Sequence, residues 1–437
     1  MTFEQIASLQ PALVALLEKF RHCFKRAKTF GYWLTYILGL ISDVKRKSIE
    51  PIALAAEVPV RTLQEFLAFF RWDHERADDA LQRLVAEEHN CDQAIGVLDA
   101  SGHAKRGDKT PGVQRQWCGE LGKVANCIVG QHLLYTDNHP KNPFSCVVAS
   151  DLFLPKSWDA DRRRCEAAGI PETIVHRPKW RIGIDQLERA IGNGIRFAYV
   201  TFDEDYGQVP QFWFELDRLG QRGIGEVRKN FGCWIRPPSC RSLRAEHAAR
   251  RVDNLTRHSP AFRKQRWKKF KIKNATRGPV TWKVKTAQVH LVDARAGKNQ
   301  PSVPTDRRYW LIVAKHPRTG ETKYFISNAP ANASLKKLLE VAFARWHVEK
   351  WFERAKQEAG FGAFEVRTYT SLIRHWLSSR MAMFFLACET QRLRGEKSAD
   401  HVRASSRRCQ YVGGEDLANV AAFIRSPIQE LRVLPVA

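Results

Sequence analysis

Hydrophobic positions in the N-terminal part of the chain recur every three to four residues. LQPALVALLEKF (9–20) and YWLTYILGLISD (32–43) each gather their apolar side chains on one helical face. KSIEPIALAAEVPVRTLQEFLAFFRWD continues the pattern and predicts two short helices, IEPIALAAE and RTLQEFLAFF, with VPV as the turn between them. Two arrangements fit this pair equally: a helix-turn-helix with Arg61, Thr62 and Gln64 at the start of its second helix, or an ordinary hairpin in a helical bundle. Residues 1–88 are expected to form a helical N-terminal domain that binds DNA if the first arrangement holds.

Near residue 93 the period changes. AIGVLDASG, KVANCIVGQHLLYT and SCVVASDLFL read as three strands. WDADRRRCEAAG and DQLERAIGNG read as helices, FAYVTFDEDYG as a strand, VPQFWFELDRLG as a helix and GIGEVRKNFGCWI as a further strand. This order predicts an α/β core with a mixed sheet over 89–240. From 241 to 330 the chain reads as a β-rich insertion with a basic face. There, VTWKVKTAQVHLVD precedes RYWLIVAKHPRTGETKYFISNAP, a hairpin around PRTGE. Helical spacing returns over 331–393, where the core resumes, and 394–437 forms a weakly patterned C-terminal tail.

Charge narrows the class of partner. Lys and Arg total 71 against 46 Asp and Glu, a net +25 over 437 residues. The stretch RKQRWKKFKIK (263–273) holds seven Lys or Arg. Such a surplus, clustered, points to a polyanion. The ten cysteines form no CxxC or CxxH pair, and Cys233 and Cys240 are too far apart for a zinc knuckle. They are expected to be reduced, mostly buried thiols in a cytoplasmic protein. The most apolar stretch, Phe30 to Ile41, is too short to span a bilayer, and no signal pattern opens the chain. Nucleic acid, not a membrane, is the expected partner.

Candidate chemistry rests on carboxylates. A hard divalent ion takes oxygen ligands, and carboxylates on rigid strand ends are good ones. Asp99 closes IGVLD before Ala-Ser-Gly, a position that also suits a turn. Asp203 closes FAYVTFD, with Glu204 and Asp205 as competitors; alternation puts Asp203 and Asp205 on one face and does not choose between them. Glu349 lies in ARWHVEKWFERAKQEAG, where Arg345, Glu349, Glu353 and Lys356 recur at helical spacing; a surface helix with ion pairs would show the same pattern.

Six stretches carry a resemblance: GVLDASGHAKRG, GVQRQWCGELGKVANC, DLFLPKSW, YVTFDEDYG, YFISNAP and RWHVEKWFERAKQEAGFGAFEVR, running from about 95 to 367. Together they resemble the insertion-sequence DDE transposases, RNase H-like endonucleases, in the branch numbered seven-oh-one near the insertion-sequence-four group. The resemblance implies an RNase H-like core whose insertion helps hold transposon ends. It also implies that Asp99 and the Asp three places before Tyr-Gly, Asp203, bind metal, which separates Asp203 from Asp205. The related helix signature is Tyr, two residues, Arg, three residues, Glu, six residues, Lys. Arg345, Glu349 and Lys356 fit it; Ala342 stands where the Tyr would be, which removes that tyrosine's DNA contact.

The expected activity is therefore DNA transposition: strand cleavage at transposon ends and transfer of the 3′-hydroxyl to target DNA. Two Mg²⁺ ions, with Mn²⁺ as a substitute, would be held by Asp99, Asp203 and Glu349. The partner would be double-stranded DNA, both terminal inverted repeats and target, bound by a homodimer associated with a bacterial nucleoid. Arg345 and Lys356 are expected to grip phosphate near the scissile bond. Lys105, Arg106 and Lys123 are either further phosphate contacts or a solvated basic surface. Lys268 and Lys269 would track the backbone, with Trp267 and Phe270 stacking or forming the insertion's small core and Trp282 in that core. His103 is expected to be structural. The rival readings are a catalytically silent DNA-binding relic or regulator and a structure-specific nuclease.

Overall fold

A computed structural model describes residues 9–140, 143–238, 248–272, 278–294 and 301–395. The expected tail, apart from its first two positions, lies outside the described residues, as do Cys240 and Lys273.

The strands of the core are β1 (Ile95–Ala104), β2 (Gln114–Cys118), β3 (Lys123–Thr136), β4 (Ser145–Leu152), β5 (Tyr199–Phe202) and β6 (Gly223–Val227). β3 lies antiparallel between β1 and β4, while β5 and β6 add in parallel on the other side of β1. The order β4-β3-β1-β5-β6, with β2 as a hairpin extension of β3, is an RNase H-like mixed sheet. The central strands read as near-continuous apolar runs because both of their faces are covered. On β3, Gln131 turns to helix Lys179–Gly192, whose Gln186 Nε2 donates to Gln131 O at 2.9 Å. The next residue, His132, turns to the opposite face and meets Trp376 of helix Tyr369–Gly395.

The expected strand order is present, with three local corrections. WDADRRRCEAAG is two short helices, Lys156–Asp159 and Arg162–Ala167, because Asp161 caps the second by accepting from Arg164 N at 3.0 Å. GIGEVRKNFGCWI ends as a strand at Val227. Asp99, expected at a strand end, is the fifth of ten residues in β1, because β3 pairs with β1 along its whole length.

Two short ribbons flank the β-rich segment: β7 (Gly232–Cys233) with β8 (Arg250–Arg251), and β11 (Val292–Ala294) with β12 (Val303–Pro304). Its longer strands are β9 (Lys268–Ile272), β10 (Val280–Val289), β13 (Tyr309–Lys315) and β14 (Thr322–Ser327). β13 and β14 form the hairpin around PRTGE, whose Gly320 has φ 73°. β14 pairs antiparallel with β6, Ile326 opposite Gly225, so these strands continue the core into one ten-stranded sheet. Without β14, β6 would present a bare edge.

Helices Leu9–Glu18, Ala27–Ile41, Ile49–Ala55, Val60–Ala68 and His74–His89 precede the sheet. They share its hydrophobic core. Trp33 Nε1 donates to Ser378 Oγ at 3.1 Å, and Arg374 donates to Phe66 O, Leu67 O and Trp72 O. No helix among the described residues is long and apolar enough to cross a membrane.

Candidate active site

Parallel pairing of β1 with β5 aligns Leu98 with Phe202, so Asp99 and Asp203 follow at the same register on neighbouring strands. Side chains at matched positions of adjacent parallel strands share a face, with backbones about 4.8 Å apart. Asp203 is the first residue past β5 and caps the helical turn Glu204–Gly207, accepting from Asp205 N at 3.0 Å. That turn sits tight against β6: a Cβ on Gly207 would lie 2.1 Å from Glu226 O. Tyr206 anchors it from the other side by donating to Gln131 Oε1. The Asp-x-x-Tyr-Gly unit is therefore a device for holding Asp203 in place.

The helical turn also sets Asp203 and Asp205 in different surroundings. Alternation ends at Phe202, and Asp205 is directed to Arg228 Nη2 at 2.8 Å and Lys179 Nζ at 3.5 Å. A cleft of about 530 Å³ lined by Glu204, Glu226, Arg228, Lys229, Arg251 and Tyr324 lies on that side.

Glu349 lies near Asp99 on helix Trp346–Glu358. Arg345 joins the two: its Nη1 donates to Asp99 Oδ2 at 2.7 Å and its Nη2 to Glu349 Oε1 at 2.6 Å. The fork geometry of guanidinium makes it suited to bridging two carboxylates. Asp99 is buried and Glu349 is largely exposed, so the site opens to solvent on the helix side. Glu353, one turn on, is exposed.

Electrostatics mark this as a crowded anionic site. Burial, then Asp99 and then Asp205, push the Asp203 carboxyl up to about 7 against the pull of Arg345. Burial also raises Asp99, opposed mainly by Arg345. Buried carboxylates held this close resist ionisation without a cation. The donor atoms are all carboxylate oxygens, the set a hard divalent ion prefers. Among the described residues, the one group of three His, Cys, Asp or Glu with ligand atoms within 4.8 Å of one another is Glu88, His89 and Cys388, a tighter set than Asp99, Asp203 and Glu349. It lies elsewhere; Glu88 pairs with Lys19 at 2.6 Å, and its thiol suits softer ions.

The other expected contacts divide. Lys356 lies further along the Glu349 helix and pairs with Glu120 at 3.7 Å. Lys105 is turned inward: its Nζ donates to Phe364 O at 2.6 Å and sits over that ring, and burial lowers it to about 8. It is a structural clamp, which sequence alone could not separate from a surface cation. Arg106 and Lys123 are exposed, as are Lys268 and Lys269 on the edge strand β9. Trp267 is partly exposed with Lys285 Nζ 4.8 Å from its ring centroid, and Phe270 is half-buried. Trp282 is buried against Phe343. Arg61 is exposed and pairs with Glu65 at 2.9 Å. His103 is fully buried against Phe361, Phe364 and Trp376. Ala342 is buried on helix Leu335–Phe343. The pairing of Arg345 with Asp99 escaped the sequence reading, which had assigned Arg345 to phosphate; its (i, i+4) spacing to Glu349 was the available signal.

Comparison with known proteins gives the family. A family model described as a DDE superfamily endonuclease matches residues 19–288, a stretch that includes Asp99 and Asp203 and ends before Glu349. A curated relative, a "Probable transposase for insertion sequence element IS701" from Microchaete diplosiphon, is 24% identical over 302 residues, 68% of this chain and 70% of the relative. With an RNase H-like sheet beneath paired aspartates and that match over more than half its length, the chain belongs to the DDE superfamily endonucleases and is similar to insertion-sequence transposases.

Proposed function

We propose that the protein is a DNA transposase that cleaves transposon ends and transfers the freed 3′-hydroxyls to target DNA. The observation that supports this reading is one guanidinium bonded to both Asp99 and Glu349, with Asp203 at the matching register beside Asp99. Asp99, Asp203 and Glu349 would hold Mg²⁺, or Mn²⁺ in its place; bound there, two such ions supply activation of an attacking hydroxyl and stabilisation of the leaving oxygen.

The chain's own residues do the rest. The parallel register of β1 and β5 fixes the two aspartates, and the Glu349 helix closes the third side. Arg345 neutralises the carboxylates before an ion arrives and is then free to turn its fork toward a phosphate oxygen. Lys356 offers a second positive charge two turns from Glu349. Terminal inverted repeats and target DNA would lie along the exposed cations Arg106, Lys123, Lys268 and Lys269. Processing two ends together calls for a homodimer on DNA.

The test is cleavage of a labelled duplex carrying the DNA that flanks the gene. Wild-type protein should nick it only with Mg²⁺ or Mn²⁺, and Asp99→Ala should not. Full Mg²⁺-dependent activity in Asp99→Ala would sink the assignment. Nicking without joining to a target plasmid would make the protein a structure-specific nuclease, and no nicking at all a silent relic.

A further inference from the structure

Eight large apolar side chains are exposed among the described residues, and three of them sit in one hairpin. Trp117 is 62%, Leu121 46% and Val124 50% exposed, with Trp117 directly opposite Val124 across the β2–β3 ribbon. Clustered exposure of this kind marks a contact surface. Arg115 shares the outward face of β2 with Trp117; Lys123, opposite Cys118 at the end of the ribbon, and Arg106 are also exposed. The ribbon is tied to the candidate active site. Glu120 in its turn accepts from Ala104 N at 3.4 Å and pairs with Lys356 of the Glu349 helix at 3.7 Å. A Cβ on Gly102, three residues along β1 from Asp99, would lie 3.3 Å from Cys118 Sγ.

We infer that this ribbon is a DNA wedge: its apolar tip presses Trp117 against the base stack while Arg115 and Lys123 hold the flanking phosphates. A two-stranded ribbon fits a DNA groove, and apolar side chains inserted at a base step favour steps that unstack easily. The flanking cations select the occupant, since a second copy of this face would bring like charges together. The inference rests on the transposase reading and adds to it a contact that reads how readily DNA unstacks.

Binding of the full chain to a fluorescein-labelled duplex, intact or carrying a two-base mismatch, tests it by anisotropy over a range of salt. Wild type should prefer the mismatched duplex by about tenfold, the scale of one aromatic–base contact. Trp117→Ala should lose that preference with its salt dependence unchanged, and Trp117→Phe should keep most of it. Retention of the preference by Trp117→Ala, or its absence from wild type that still binds DNA, overturns the wedge alone. Wild type that binds neither duplex overturns the DNA reading as well. Trp117→Ala that dissolves a dimer in sedimentation while binding both duplexes like wild type assigns the tip to a second copy instead.

Discussion

Arg345 Nη1 donates to Asp99 Oδ2 at 2.7 Å, joining residues 246 positions apart. The bond sets a counter-charge between Asp99 and Glu349 and ties the Glu349 helix to the central strand. Removing one partner of a buried ion pair leaves the other uncompensated, which costs more than the pair itself contributes. Arg345→Gln should therefore destabilise the metal-free protein by about 2 kcal/mol, and adding Asp99→Asn should recover part of that loss. Urea denaturation of the two single variants and the double variant checks this; additive losses would show the pair to be uncoupled.

The raised Asp203 carboxyl makes a second prediction. Its folded pKa of about 7 exceeds the usual value near 3.9, so the folded state holds the proton more tightly than the unfolded one. Ionising it costs stability, and the cost grows as pH rises from about 4 to 7. The buried histidines act in the opposite sense: burial holds His375 down to about 3 and His347 to about 4, so wild type loses stability as pH falls below 6.5. The informative quantity is the difference between variants. Asp203→Asn should gain on wild type in melting temperature as pH goes from 4 to 7 and hold that gain above 7. A difference that shrinks over this range would contradict the assignment.

Glu349 and Glu353 are one turn apart, and only Glu349 is held by Arg345. Glu349→Ala should lower Mg²⁺-dependent nicking at least about a thousandfold, equivalent to ~4 kcal/mol of barrier, while Glu353→Ala stays within a few-fold of wild type. Single-turnover cleavage of a labelled duplex distinguishes them, and the reverse ranking would move the third carboxylate to Glu353.

Gly207 is a packing requirement, since a Cβ there would lie 2.1 Å from Glu226 O. Gly207→Ala should cost about 1–3 kcal/mol and shift the turn that carries Asp203. Both thermal stability and nicking should fall, whereas Gly192→Ala, which meets nothing within 4 Å, should leave both unchanged.

Lys268 and Lys269 are exposed on the edge strand β9. If they contact backbone phosphates, replacing both with Ala should reduce the slope of log affinity against log salt by about 2. Filter binding between 50 mM and 200 mM salt, concentrations at which counterion release dominates, measures it directly. An unchanged slope would place DNA elsewhere on the protein.

The sequence by itself determined the class of this protein. The switch from helical to strand period, the order of the elements and the +25 charge were legible because each is a local or summed property of the residues. Asp99, Asp203 and Glu349 were selected by the motifs around them. The structure alone decided what depends on register and on distant neighbours. Asp99 became a mid-strand residue because β3 pairs with all of β1, a choice made by a segment some thirty positions away. Asp203 separated from Asp205 in space because the chain turns helical after Phe202 and Arg228 draws Asp205 aside. Lys105 looked like any surface lysine until the loop bearing Phe364 covered it. The β-rich insertion looked self-contained because hydrophobic alternation reports which residues lie inward and not which strand lies beside another; only the pairing of β14 with β6 joined it to the core.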